Sequence, residues 1–220
     1  ILIVAFIGNL IPSLLYPLGQ TRVDSNLAGI LNSLVLVFVL IFGLMFFKTR
    51  TSLRQIVGVI IGLFGAALLI TKDNPFSFGQ MNLYALYIVL ATILYAININ
   101  QVNKYLRSFS GIEIASLAFL FIGPVSGSIL IFSDYSSALE SDTILIDLLY
   151  IMILGLLGSA VAVSLVNYVI TSAGAMFASS VTYIIPVFAI AWGLMDSEIF
   201  NLTQIIATII VLLGVYFVNK

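Results

Sequence analysis

Along the chain, apolar runs follow one another with only short polar breaks between them. Each run is close to the roughly 20 residues that a helix needs to cross the hydrocarbon core of a bilayer. The runs are continuous; the polar–apolar alternation of a membrane β-barrel is absent. They predict eight helical spans, over 1–18, 26–47, 53–71, 82–103, 112–132, 144–170, 173–195 and 200–219. Most breaks are plain: Gly19 to Ser25, Lys48 to Ser52, Lys72 to Gln80, Lys104 to Gly111, and Ser133 to Thr143. The stretch from Leu148 to Met195 carries no charge and is too long for one span. Its small, polar cluster Thr171-Ser172-Ala173-Gly174 predicts the break there. The expected fold is all-α, a polytopic bundle of membrane helices.

Composition narrows the possible chemistry. Hydrophobic residues make up 62% of the chain and charged residues 8%, against about 25% charged in ordinary soluble domains. Mean hydropathy is +1.23. A soluble domain of this size could not hide so much apolar surface. Net charge is −1, with no basic patch, so a nucleic-acid partner is not expected. The chain has no Cys and no His. Disulfides, a thiol nucleophile, His-based acid–base chemistry and Cys/His metal sites are therefore excluded, and no catalytic residue, metal or cofactor is expected. The expected partners are the lipid bilayer and a small-molecule solute. Ile1 lies inside an apolar run without a charged n-region or cleavage site, so the opening segment is not a signal peptide, and an earlier start is expected.

Charge predicts the orientation. With the connections alternating by side, Lys48, Arg50, Arg54, Lys104, Arg107 and Lys220 fall on one side, and only Arg22 and Lys72 on the other. The positive-inside rule makes the first side cytoplasmic, with Ile1 and Lys220 both there.

Two parts of the chain resemble each other. Gly43-Leu44-Met45 matches Gly193-Leu194-Met195, and Phe38 and Ala28 match Phe188 and Ala178 at the same offset. After a one-residue deletion, Leu53, Gln55, Ile56 and Gly65 match Leu202, Gln204, Ile205 and Gly214. Spans two and three thus map onto spans seven and eight. The offset covers five helices, an odd number, so the second copy is upside down. Inverted repeats are characteristic of secondary transporters. The reading divides the chain into 1–75, the last three helices of a first repeat, and 76–220, a complete second one. Two further helices are expected before Ile1.

These features resemble the EamA family of the drug/metabolite transporter superfamily. Its repeats end in a helix with small residues and a proline, an acidic connection, and a helix of the form Q-x-x-G/A…G. Here the second copy reads Ala178-Ser179-Ser180-Val181-Thr182-Tyr183-Ile184-Ile185-Pro186, then Glu198, Gln204 and Gly214. The first copy has Asn32-Ser33, then Gln55, Gly58 and Gly65, with Leu36 in place of the proline and Lys48-Thr49 in place of the acid. The resemblance implies ten helices in two inverted five-helix repeats, eight of them in this chain. It also implies a secondary transporter, an exporter by family habit, in a prokaryotic plasma membrane.

Polar groups at mid-depth avoid lipid and seek protein or a cavity. Asn9 lies near the middle of the first span, with Tyr16 following; Tyr95 and Asn98 share one face of the fourth; Tyr183 and Pro186 lie in the seventh. These six are the candidate solute pathway, and Tyr95, Asn98, Tyr183 and Asn9 are expected around one central cavity. The competing reading is structural: Asn and Ser often join helices, and Tyr or Trp near span ends form interfacial belts. No Lys, Arg or carboxylate lies deep in a span, which disfavours phosphorylated solutes. Neutral or zwitterionic solutes such as amino acids fit better. An intramembrane enzyme would need clustered carboxylates or metal ligands, which are missing. A scaffold or channel would not require the repeat.

Overall fold

A computed structural model describes residues 1–47, 52–70, 83–133, 143–180, 185–195 and 202–219. Among these, every regular element is a helix. In chain order they are α1 (Leu2–Gln20), α2 (Ser25–Asn32), α3 (Val35–Phe47), α4 (Leu53–Ile70), α5 (Leu83–Tyr105), α6 (Gly111–Phe132), α7 (Ile144–Ala173), α8 (Ala175–Ser180), α9 (Ile185–Met195) and α10 (Leu202–Asn219). Five described helical stretches are long and apolar enough to cross a membrane: Leu2–Gln20, Leu27–Phe47, Leu83–Tyr105, Gly111–Phe132 and Ile144–Ala173. The apolar stretches Leu53–Leu68 and Leu202–Val218 are shorter. The molecule is a helical membrane bundle.

The run 26–47 is not one straight helix. At Ser33 and Leu34 the backbone tightens: their N–H groups donate to the carbonyls of Ile30 and Leu31, three residues back, both at 3.1 Å. The Ser33 hydroxyl adds a bond to the Ile30 carbonyl at 2.6 Å, a local competitor that serine offers inside helices. Below this step lies the centre of the bundle. Val35 to Leu40 are all buried, as befits a helix apolar on every side. Asn100 of α5 ties onto it, donating to the Val39 carbonyl at 3.0 Å and to the Ala96 carbonyl at 3.1 Å.

Helices α4 and α10 cross with almost no side chain between them. A Cβ on Gly58 would lie 2.7 Å from the Gly214 carbonyl oxygen and the Val218 N, and one on Gly65 would lie 2.7 Å from the Val211 N. Residue numbers rise along one helix as they fall along the other, so the pair is antiparallel. Such glycine-lined crossings let backbones approach and gain dispersion that lipid cannot offer. The pairs α2 with α9 and α3 with α8 also pack against each other.

The proposed break between spans six and seven falls at Gly174, whose φ of 93° is the left-handed conformation that glycine tolerates best. Residue Ala173 ends α7 and Ala175 begins α8, so the two helices are joined by this one residue. The other short link leads to a capping box: Glu113 N–H donates to Ser110 Oγ at 3.2 Å, and Ser110 N–H to Glu113 Oε2 at 2.7 Å. Just beyond, Gly111 lies against the backbone of Ser164 and Tyr168, so α6 and α7 grip at this end. Away from it they part: no residue of Ile144–Val161 is buried.

Candidate functional site

A cavity of about 450 Å³ lies where five parts of the bundle converge. Its walls are Gly8, Asn9 and Tyr16 from α1, Asn32 and Val35 on either side of the Ser33–Leu34 step, Tyr95, Asn98 and Ile99 from α5, the Gly158–Asn167 part of α7, and Ile185 of α9. The structure thus brings Asn9, Tyr16, Tyr95 and Asn98 around one space. Tyr183 lies outside the described residues. Pro186 belongs to α9, but its side chain is not among those described.

Local chemistry explains how each wall forms. On α5, Tyr95, Asn98 and Ile99 are spaced three and four apart and share a face, whereas Asn100 turns away onto α3. On α1, Phe6–Leu10 form a π-helical turn. It lies next to Pro12, which has no N–H to offer the Gly8 carbonyl. In this wider turn Asn9 donates from Nδ2 to the Val4 carbonyl at 2.8 Å, five residues back. A second π-helical turn, Leu154–Val161, carries Gly158 into the opposite wall. Such turns are frequent at functional sites in helices; here both border the cavity.

Among the described residues, none that lines the cavity is charged. Asn98 is 8% exposed and Asn167 2%. Among the described residues, Asn98 Oδ1 and Asn167 Nδ2 have no hydrogen-bond partner. The Asn98 amide lies directly on Gly8, whose absent Cβ makes the room.

A second, smaller space of about 230 Å³ lies at one end of the bundle, bordered by Gln55, Asn100, Asn103, Arg107 and Gly174 among others. Arg107 Nη2 donates to Asn103 Oδ1 at 3.0 Å, and Gln55 Nε2 to the Val218 carbonyl at 3.1 Å. The start of α4, the ends of α5 and α10, and the α7–α8 link therefore share this end.

Sequence reasoning gave Asn167 and Asn32 no place in the pathway. Both were visible as polar residues within apolar runs, but neither sequence position alone fixed the face. Gly8 and Gly158 had no signal beyond being glycines.

An aromatic and amide cavity inside a membrane bundle has the character of a solute site. The chain matches the EamA-like transporter family over residues 1–71 and 82–220. It belongs to that family. EamA-like proteins are membrane transporters of the drug/metabolite superfamily rather than enzymes, and this chain is accordingly an integral membrane transporter. No curated protein matches it. One solved crystal structure, of a protein 14% identical, superposes with a TM-score of 0.65 over 98% of this chain and 74% of the other. At that identity the likeness concerns the fold alone.

Proposed function

We propose that this EamA-like protein is a secondary transporter that exports small neutral or zwitterionic solutes by alternating access, with the central cavity as the solute site. The observation that carries the reading is the convergence of Asn9, Tyr16, Tyr95 and Asn98 on one cavity whose described walls are uncharged. Tyr183 and Pro186 complete the pathway in this reading. Aromatic faces and amides can hold an amphipathic solute without a fixed counter-charge.

In this reading the chain contributes eight spans of a ten-helix protein, and 1–75 and 76–220 belong to two inverted repeats. The α4–α10 crossing supports that symmetry. The repeat pairs Gly65 with Gly214 and, at the same offset, Gly62 with Val211. The close contacts are Gly62 with Gly214 and Gly65 with Val211. Exchanging the copies turns each contact into the other, as a two-fold axis in the membrane plane requires.

Counterflow in proteoliposomes, screened over neutral and zwitterionic small molecules, tests the function. Tyr95→Ala should lower the flux about tenfold by removing a ring from the solute's wall, with membrane insertion and folded yield retained. Flux at the unmodified rate would remove the cavity from the pathway, and a collapse in yield would make Tyr95 a packing residue instead.

The reading also sets Ile1 and Lys220 on the cytoplasmic face of a prokaryotic plasma membrane. The chain contains no Cys, so single thiols report sidedness without background. In intact cells an impermeant maleimide should label Glu140→Cys and spare Lys104→Cys. The reverse pattern would invert the topology.

A further inference from the structure

The smaller space continues the line of the central cavity. On α3, Val35 borders the central cavity and Val39 the recess of about 230 Å³; on α5, Ile99 borders the first and Asn103 the second. Each step is one helical turn, about 6 Å. On α7, Asn167 and Ala173 divide in the same sense. The two spaces are therefore stacked along one axis. Arg107 stands in the wall of the recess, just beyond α5, and is exposed; Asn103 is half-buried. Arg107 Nη2 donates to Asn103 Oδ1 at 3.0 Å, and a Cβ on Gly174 would lie 3.4 Å from the same Nη2. The guanidinium thus reaches from the end of α5 to the α7–α8 link. Among the described residues, one neutral amide oxygen is the only partner of this group with several N–H donors.

Other cations at this end are held differently. Arg54 lies 5.9 Å and 5.4 Å from the Tyr216 and Phe217 ring centres, and Lys104 5.1 Å from those of Phe47 and Tyr105. Acidic residues are segregated from the recess. Asp24 and Asp147 lie at the opposite end of the bundle. The acids within 71–82, 134–142 and 196–201 belong by sequence to connections that leave the described helices at that opposite end. Glu113 remains, and its carboxylate accepts from Ser110 N–H in the capping box.

We propose that the recess is a mouth of the transport pathway, where Arg107 and Asn103 take hold of a solute's carboxylate before the solute moves to the central cavity. This rests on the transporter reading above and narrows its solutes to those with a carboxylate, such as amino-acid zwitterions. A guanidinium matches a carboxylate in shape and charge. Asn103, with Oδ1 turned to Arg107, keeps Nδ2 as a further donor. Val39, Leu40 and Met176 supply an apolar wall beside them.

Ala173, exposed in the recess wall, serves as the reporter position, and the chain has no Cys of its own. The full chain carrying Ala173→Cys is placed in phosphatidylcholine nanodiscs. It is labelled with a sulfonate-bearing or a trimethylammonium-bearing methanethiosulfonate. The anionic reagent should react faster, and Arg107→Gln should lower the ratio of the two rates about tenfold. Arg107→Lys keeps the charge and should keep the ratio, which separates a charge effect from misfolding. N-acetylphenylalanine should slow the labelling, and N-acetylphenylalaninamide, which differs only in lacking the carboxylate, should not. Arg107→Gln should abolish that protection. A ratio unchanged in Arg107→Gln would mean that the guanidinium does not face the recess, and would overturn the site. Equal slowing by acid and amide, or none by either, would overturn the carboxylate. Loss of the preference and the protection on adding phosphatidylglycerol would give the site to a lipid phosphate and overturn the solute role. In counterflow of a carboxylate-bearing solute, Arg107→Gln should raise KM about tenfold and spare kcat. Flux lost in Tyr95→Ala but unchanged in Arg107→Gln would preserve the transporter while the proposed mouth fails.

Discussion

Gly214→Val should break the bundle at the α4–α10 crossing and lower stability by about 3 kcal/mol or more, or prevent folding altogether. A Cβ at this position would lie 2.5 Å from the Gly62 Cα and 2.8 Å from the Gly58 carbonyl oxygen. Both are backbone atoms in a helix, so no side chain can swing aside. Replacing a helical glycine ordinarily gains up to about 1 kcal/mol in propensity. Here that gain is outweighed, because separating the helices forfeits contact along the whole crossing. Size-exclusion profile and thermal inactivation in detergent measure the loss. Gly123→Ala and Gly155→Ala are the controls. A Cβ at either meets nothing within 4 Å, so both should be tolerated. Equal tolerance at Gly214 would mean that the two helices do not approach this closely.

The second large effect concerns flux rather than stability. In Gly8→Val the new side chain occupies the place of the Asn98 amide. That amide terminates a short side chain bordering the cavity, so it must shift to make room. In the proposed reading the valine thus displaces a group of the solute pathway. Transport should fall about a hundredfold, the scale of effect when a positioned group is moved by roughly 1 Å. The stability cost should stay near 1–3 kcal/mol, as for moderate overpacking. Counterflow and melting temperature read the two separately. Near-normal flux in Gly8→Val would place the solute elsewhere.

The sequence is most informative where helical spacing is regular. Tyr95 and Asn98 lie three apart on an undistorted stretch of α5, and the face they share is the cavity face. The break at Gly174 was equally visible, because a cluster of small and polar residues interrupts an uncharged run. Elsewhere the phase is lost. A π-helical turn inserts an extra residue, which rotates every later side chain by about 100° relative to an ideal helix. The turns at Phe6–Leu10 and Leu154–Val161 do this on both sides of the cavity. Counting along span six could not therefore reveal that Asn167 faces Asn98's cavity. The step at Ser33–Leu34 was hidden for another reason. Its cause is a hydroxyl that bonds to its own backbone, and such a serine looks no different in sequence from one that joins two helices.

The single-residue link at Gly174 also governs how this protein can be modified in practice. Because Ala173 and Ala175 belong to separate helices, an epitope tag or protease site spliced between them has no slack to occupy. It must push apart two helices that carry the cavity wall and the central core contacts. The link itself cannot readily take a side chain either, given its φ of 93°. Ser172, exposed and two residues earlier, offers a gentler foothold: serine to cysteine exchanges one atom and leaves the chain length unchanged. Reporters at this corner of the molecule are therefore best introduced as atoms, not as segments.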